Sequence, residues 1–200
     1  DGVQLAVRLA NAADVVTSGA LSVQFSGVLQ TLEPPVIDGQ SAVGDAIRPI
    51  ANRILPPGSV ETVVLDLQLP ANGLEDDVLE GLQIENTGTV TASDIATVAL
   101  RRDDGDGVLG AGDVLVTTLV PQGDRQWASP ALAMPLPAGS QTRFFVTVRP
   151  ATGATTGRTF EARVPLGGIM VTSDNDGPND HELRGGGRLV FATPNQVLWV

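Results

Sequence analysis

The sequence predicts an all-β protein: an antiparallel two-sheet β-sandwich, immunoglobulin-like or jelly-roll, with at most one short helix. Three observations predict it. Apolar residues recur at every second position through most of the chain, the spacing of strands with one buried face. Clusters of Gly, Pro, Asn and Ser separate these runs at short intervals, as in antiparallel sandwiches. The 200 residues are enough to bury a real core and include no cysteine, so packing and not disulfides must hold the fold.

The elements follow in order. Val3, Leu5, Val7 and Leu9 alternate with Gln4, Ala6 and Arg8, and Leu21, Val23 and Phe25 alternate with Ser22 and Gln24. Next, Val63, Leu65, Leu67 and Leu69 alternate with Val64, Asp66 and Gln68. Leu82 with Ile84, then Ala96 to Leu100, Val114 to Leu119, Phe144 to Val148, Phe160 to Val164, and Leu189 with Phe191 complete the series. Pro56-Pro57-Gly58-Ser59, Asn72-Gly73, Asn86-Thr87-Gly88, Pro137-Ala138-Gly139-Ser140 and Gly185-Gly186-Gly187 supply the turns.

One stretch departs from period two. Ile47, Ile50, Ala51 and Ile54 have helical spacing, with Asp45 placed to cap a helix and Pro49 placed to break it, so the stretch reads as one short helix or an irregular connection. It divides the chain into residues 1–45, with two or three strands, and a main body over residues 56–200. Two or three strands alone are marginal in water, so the expectation is one domain over residues 1–200, the first 45 being either integral strands or an exchanged arm.

Charge and composition exclude several classes. A net charge of −11 argues against nucleic acid and anionic membrane surfaces, which need a basic footprint. No apolar run reaches the roughly 18–20 residues of a membrane-spanning helix, so no membrane insertion is expected. The chain opens on Asp1 without a charged-then-apolar leader, which suits a mature exported form or equally a piece of a longer chain. Cysteine chemistry and thiolate zinc sites are excluded, and His181 is the only histidine, set among acids in a loop. Neither a Gly-x-Ser-x-Gly elbow nor a phosphate-binding loop with its Lys occurs, so catalysis is not expected.

The segment richest in chemistry is Asp103-Asp104-Gly105-Asp106-Gly107-Val108-Leu109-Gly110-Ala111-Gly112-Asp113, between two strand-like runs. Calcium takes six to eight oxygens, and closely spaced carboxylates on a glycine-rich backbone can supply them. Aligned with a twelve-residue calcium loop, Asp104, Asp106, Gly107 and Asp113 fall at positions three, five, six and twelve. Arg102 then occupies position one, where a carboxylate belongs, and Asp103 is the stand-in ligand. The bland alternative is a solvated Asp-Gly turn. A second acidic run, Ser173 to Glu182, offers Asp174, Asp176 and Asp180 as further ligands, or is an ordinary turn. Trp127, in Gly123-Asp124-Arg125-Gln126-Trp127, reads as a sugar-stacking ring in a polar loop or as a plug at one end of the core.

These segments resemble a known kind of module. Leu82 to Thr89 with its Asn-Thr-Gly strand end, Asp94 to Gly107 with the acidic loop, and Pro137 to Ser140 before Phe144 to Val148 are similar to repeat-type β-sandwich modules of bacterial and archaeal surface proteins, over roughly residues 56–182. The resemblance implies an immunoglobulin-like or jelly-roll fold and extracellular export, and it implies no particular ligand. The apolar ends, Val3, Leu5, Val7 and Leu9 and then Val197, Leu198, Trp199 and Val200, bear a looser likeness to strand-exchanging subunits of extracellular fibres. The final run is otherwise the last strand of the same sandwich. The leading expectation is therefore a secreted, calcium-rigidified structural subunit that pairs with copies of itself through terminal strands in a filament or surface layer. The alternative is an adhesin or carbohydrate-binding appendage of a larger protein, with other surface proteins or glycans as partners.

Overall fold

Alternating apolar residues become strands here because a sheet buries one of its faces. In this computed structural model, which describes residues 47–71, 76–173 and 175–193, fourteen strands form. They are β1 (Ile47–Arg48), β2 (Arg53–Leu55), β3 (Thr62–Leu69), β4 (Asp77–Asn86), β5 (Ile95–Arg102), β6 (Val114–Pro121) and β7 (Gln126–Ala128). After these come β8 (Met134–Leu136), β9 (Thr142–Pro150), β10 (Thr159–Phe160), β11 (Ala162–Val164), β12 (Ile169–Val171), β13 (Leu183–Arg184) and β14 (Leu189–Phe191). The one helical turn among the described residues is 3₁₀, at Ala92–Asp94, and no described helix is long and apolar enough to cross a membrane. The described residues belong to the second of two units, Asp1–Val36 and Ile37–Val200. The expectation that residues 1–45 share its domain falls outside the described residues.

Two layers face each other across the core. The order β1-β3-β9-β5-β6 makes one layer and β7-β4-β11-β13 the other, with β8 and β12 also paired to β4. The layers are joined where the end of β6 pairs with β7, at Val120↔Ala128 and Pro121↔Trp127. The central ladders are long: β3 pairs with β9 from Thr62↔Val148 to Leu69↔Thr142, and β9 pairs with β5 from Ile95↔Pro150 to Arg102↔Phe144. Leu65, Val146 and Val148 of one layer and Ile84, Trp127 and Val164 of the other are 0 or 1% exposed. Burying one such side chain contributes about 1.5–3 kcal/mol, so the facing rows hold the layers together.

The segment around Pro49 is the irregular connection of the two readings. It forms no helix: Ile47 and Arg48 pair with Leu67 and Asp66 of β3, and Arg53 to Leu55 pair with Leu189 to Phe191 of β14. Pro49 lacks the N–H that a helix would need, and the neighbouring Ile50 N–H donates to the Gly185 carbonyl at 2.9 Å. Ile54 is 55% exposed, so the helical spacing marked no buried face. Among the described residues the β2–β14 ladder is also the one parallel pairing in an otherwise antiparallel set, made within a small separate sheet ordered β10-β14-β2. A parallel pair needs a long crossover, and here the body of the sandwich lies between the two strands in sequence.

Candidate functional site

β5 and β6 are hydrogen-bonded neighbours from Val98↔Leu119 to Arg102↔Val114, so residues 103–113 cap an antiparallel hairpin, as the sequence predicts. Asp103 N–H donates to the Arg143 carbonyl at 3.0 Å, which extends the β5–β9 ladder by one residue and fixes where the loop begins. Inside the loop each carboxylate accepts from the backbone. Gly107 N–H donates to Asp103 Oδ1 at 3.0 Å, Asp106 N–H to Asp104 Oδ1 at 3.2 Å, and Val108 N–H to Asp106 Oδ1 at 2.8 Å. Gly105 and Gly107 hold φ of 107° and 77°, the left-handed region that side chains resist, and a Cβ on Gly112 would collide with the Asp104 carboxylate.

This folding brings Asp103, Asp104 and Asp106 together, with one oxygen from each within 4.8 Å of the others. Oxygens bound to one calcium at about 2.3–2.6 Å lie at most about 5 Å apart, so a single ion can touch all three. No hydrogen bond among the described residues engages the second oxygen of Asp104 or Asp106. Asp103 is therefore a member of the cluster. Asp113 is not: it is 6% exposed, and both its oxygens are engaged, by Asp104 N–H at 3.2 Å and Gly110 N–H at 2.7 Å. It closes the loop and lies outside the cluster.

A cation lies under the cluster. Arg143, at the start of β9, donates through Nε to Asp66 Oδ1 at 2.7 Å and through Nη2 to Asp66 Oδ2, and its guanidinium stacks 4.9 Å from the Phe145 ring centre. Its Nη1 lies 4.0 Å from Asp103 Oδ2. The Asp66 hydrogen bond chiefly raises the Arg143 pKa above its ordinary value; burial opposes this, and the charges of Asp66, Asp103 and Asp106 add to it. Sequence reading missed this residue. The alternation in β9 marks Arg143 as outward-facing but cannot show that β5 lies beside it.

The second acidic run forms no carboxylate cluster among the described residues. Asp176 accepts from Val171 N–H at 2.9 Å, Asp180 is exposed, and neither joins a carboxylate cluster among the described residues. Glu182 is held by Arg163 at 2.6 Å and Arg184 at 2.8 Å. Asp174 lies outside the described residues, as do Val3, Leu5, Val7, Leu9, Val197, Leu198, Trp199 and Val200. His181 is exposed. Asn86, of the Asn-Thr-Gly strand end, is a buried corner: its Nδ2 donates to Val90, and its Oδ1 accepts from Gly88 and Glu161 N–H, each at 2.8 Å.

Trp127 takes the second of its two readings, a ring packed in the core. It belongs to β7, is 1% exposed, and sits 5.8 Å from the Phe160 ring centre, so it offers no face to a sugar. Phe144, Phe145, Phe160 and Phe191 are buried too. A shallow depression of about 200 Å³ is lined by Asn52, Arg53, Ile54, Arg188 and Val190, none of them from the acidic loop.

No family model and no curated protein matches the chain. Solved structures do match, among them one titled "Hadza microbial sialidase Hz136", with a TM-score of 0.50 and 15% identity over 72% of this chain and 30% of that one. What the two share is a fold. The chain spans less than a third of that protein's length, and at this identity the likeness concerns the sandwich alone.

Proposed function

We propose that the chain is a non-catalytic β-sandwich module of a secreted or cell-surface protein, with calcium bound by Asp103, Asp104 and Asp106 stiffening the β5–β6 hairpin. The convergence of those three carboxylates on a glycine-shaped loop carries this reading. Backbone carbonyls and water complete the six to eight oxygens, and the loop, built from acceptors alone, suits a hard cation. The net charge of −11 and the two-layer core fit a module that works in an extracellular, cation-rich setting. Subunit assembly through the terminal strands belongs to the same reading and rests on their apolar sequences. A carbohydrate-binding role draws only on the fold shared with part of a sialidase, and a stacking platform for it would have to come from Phe25 or Trp199, because the five described aromatic rings are buried.

Calcium titration by calorimetry, together with thermal unfolding, tests the metal. Calcium is expected to bind and raise Tm, and at free calcium about a hundred times Kd the added stability is about 2.7 kcal/mol. The double variant Asp104→Asn/Asp106→Asn should fold and lose both effects. Absence of binding heat and of any Tm shift in the unaltered chain at millimolar calcium would overturn the reading.

A further inference from the structure

The first and last described stretches of the body lie side by side and run in the same direction. Ile50 N–H donates to the Gly185 carbonyl at 2.9 Å, Arg188 N–H to Asn52 Oδ1 at 2.8 Å, and Arg53 N–H to the Arg188 carbonyl at 3.1 Å. The β2–β14 pairing follows, from Arg53↔Leu189 to Leu55↔Phe191, and Ala192 N–H donates to the Leu55 carbonyl at 3.1 Å. A seam therefore joins residues 50–55 to residues 185–192, longer than the three-residue ladder within it. Gly187 permits the close approach, since a Cβ there would stand 2.6 Å from the Ile50 carbonyl oxygen. The seam is anchored on its inner side, where Leu55, Leu189, Phe191 and Ala192 are all buried, and β10 pairs with the far edge of β14.

We propose that this seam is a mechanical clamp, and that resisting tension along the chain is a further function of the body. Direction decides it. The chain enters the seam at Ile50, beside Gly185, and leaves it at Ala192, beside Leu55. Tension draws these two points apart, and because the strands are parallel they stand at opposite ends of the seam. The pull slides β2 along β14, so the hydrogen bonds between them share the force and must fail together. In an antiparallel hairpin the two chains leave from one end of the ladder, and a pull opens it bond by bond. Among the described residues every other ladder is antiparallel. β3 to β13 lie between β2 and β14 in sequence, so their backbone is bypassed by end-to-end tension while the seam holds. β1 lies outside the seam, and its two-residue pairing with β3 adds little. That a surface module is pulled at all rests on the reading above; the strength of the seam rests on topology and owes nothing to calcium.

The test pulls the full chain in two directions. It has no cysteine, so a pair of thiol handles can be placed uniquely. Pro49→Cys/Thr193→Cys attaches the handles at opposite ends of the seam, and Pro49→Cys/Arg184→Cys attaches them at the same end, all at exposed positions. Both are held at one constant force in an optical trap, with a chelator present so that the metal plays no part in the outcome. The opposite-end pair should survive more than about ten times longer, since several hydrogen bonds resist at once. Its first lengthening should release the whole span between the handles in one step. Asn52→Ala removes one exposed rung, the bond to Arg188 N–H, and should shorten that lifetime about fivefold. Equal lifetimes in the two directions overturn the proposal, and so does lengthening in smaller steps before the main rupture. An unchanged lifetime for Asn52→Ala under the opposite-end pull overturns it too.

Discussion

The two ends of β5 carry aspartates with opposite fates. Asp94 precedes the strand and is 2% exposed. Its carboxylate accepts from Thr91 N–H at 3.0 Å, Thr155 N–H at 2.8 Å, Thr91 Oγ1 at 3.1 Å and Arg158 Nη1 at 2.6 Å. Asp103, Asp104 and Asp106 follow the strand, and each accepts from one backbone amide. The same side chain is thus structural where donors surround it and available where donors run out. Counting donors, not acids, separates the two.

The largest break in this comparison is Asp94→Ala. It strands two backbone amides and a guanidinium, and should cost about 3 kcal/mol in denaturant unfolding. Calcium binding at the far end of β5 should be unchanged; a change there would show that the two ends are not independent. The pH dependence comes next. Burial pushes the Asp94 carboxyl upward, but the hydrogen bonds from Thr91 and Thr155 and from Arg158 outweigh it and hold it well below the usual carboxylate range. A depressed folded pKa gives stability that is present in full above the unfolded value of about 3.9 and is lost as pH falls toward the folded value. Unfolding measured from pH 6 down should therefore show this protein losing up to about 1.4 kcal/mol per pH unit through that window. Asp94→Asn should start lower and slope less.

Smaller effects belong to the loop. Gly107→Ala forces a side chain into left-handed φ and drives its Cβ against Arg143 Nη1, at about 1–2 kcal/mol. Gly105→Ala meets open space and should cost only the backbone strain, about 1 kcal/mol. Equal costs in thermal unfolding would mean that Arg143 does not brace the loop.

The sandwich and its central strands were legible because period-two alternation survives wherever one face is buried, as in Val63 to Leu69 and Phe144 to Val148. The 47–54 segment was not legible, because strands of two and three residues are too short to display a period. Trp127 kept two readings open for a related reason: β7 is three residues long and follows a polar turn, so local pattern cannot show the burial that its contact with Phe160 provides. The acidic loop announced its three clustered aspartates, yet Asp113 looked like an equal ligand. Only the fold shows that the amides of Asp104 and Gly110 take both its oxygens.

Arg143 has a further consequence for the proposed metal. Pinned by Asp66 and Phe145, it sets a fixed positive charge beside Asp103, which eases part of the repulsion within the acidic loop. The same fixed positive charge subtracts from the field that draws the ion in. Such a site would exchange its cation readily, filling where calcium is plentiful and emptying where it is scarce.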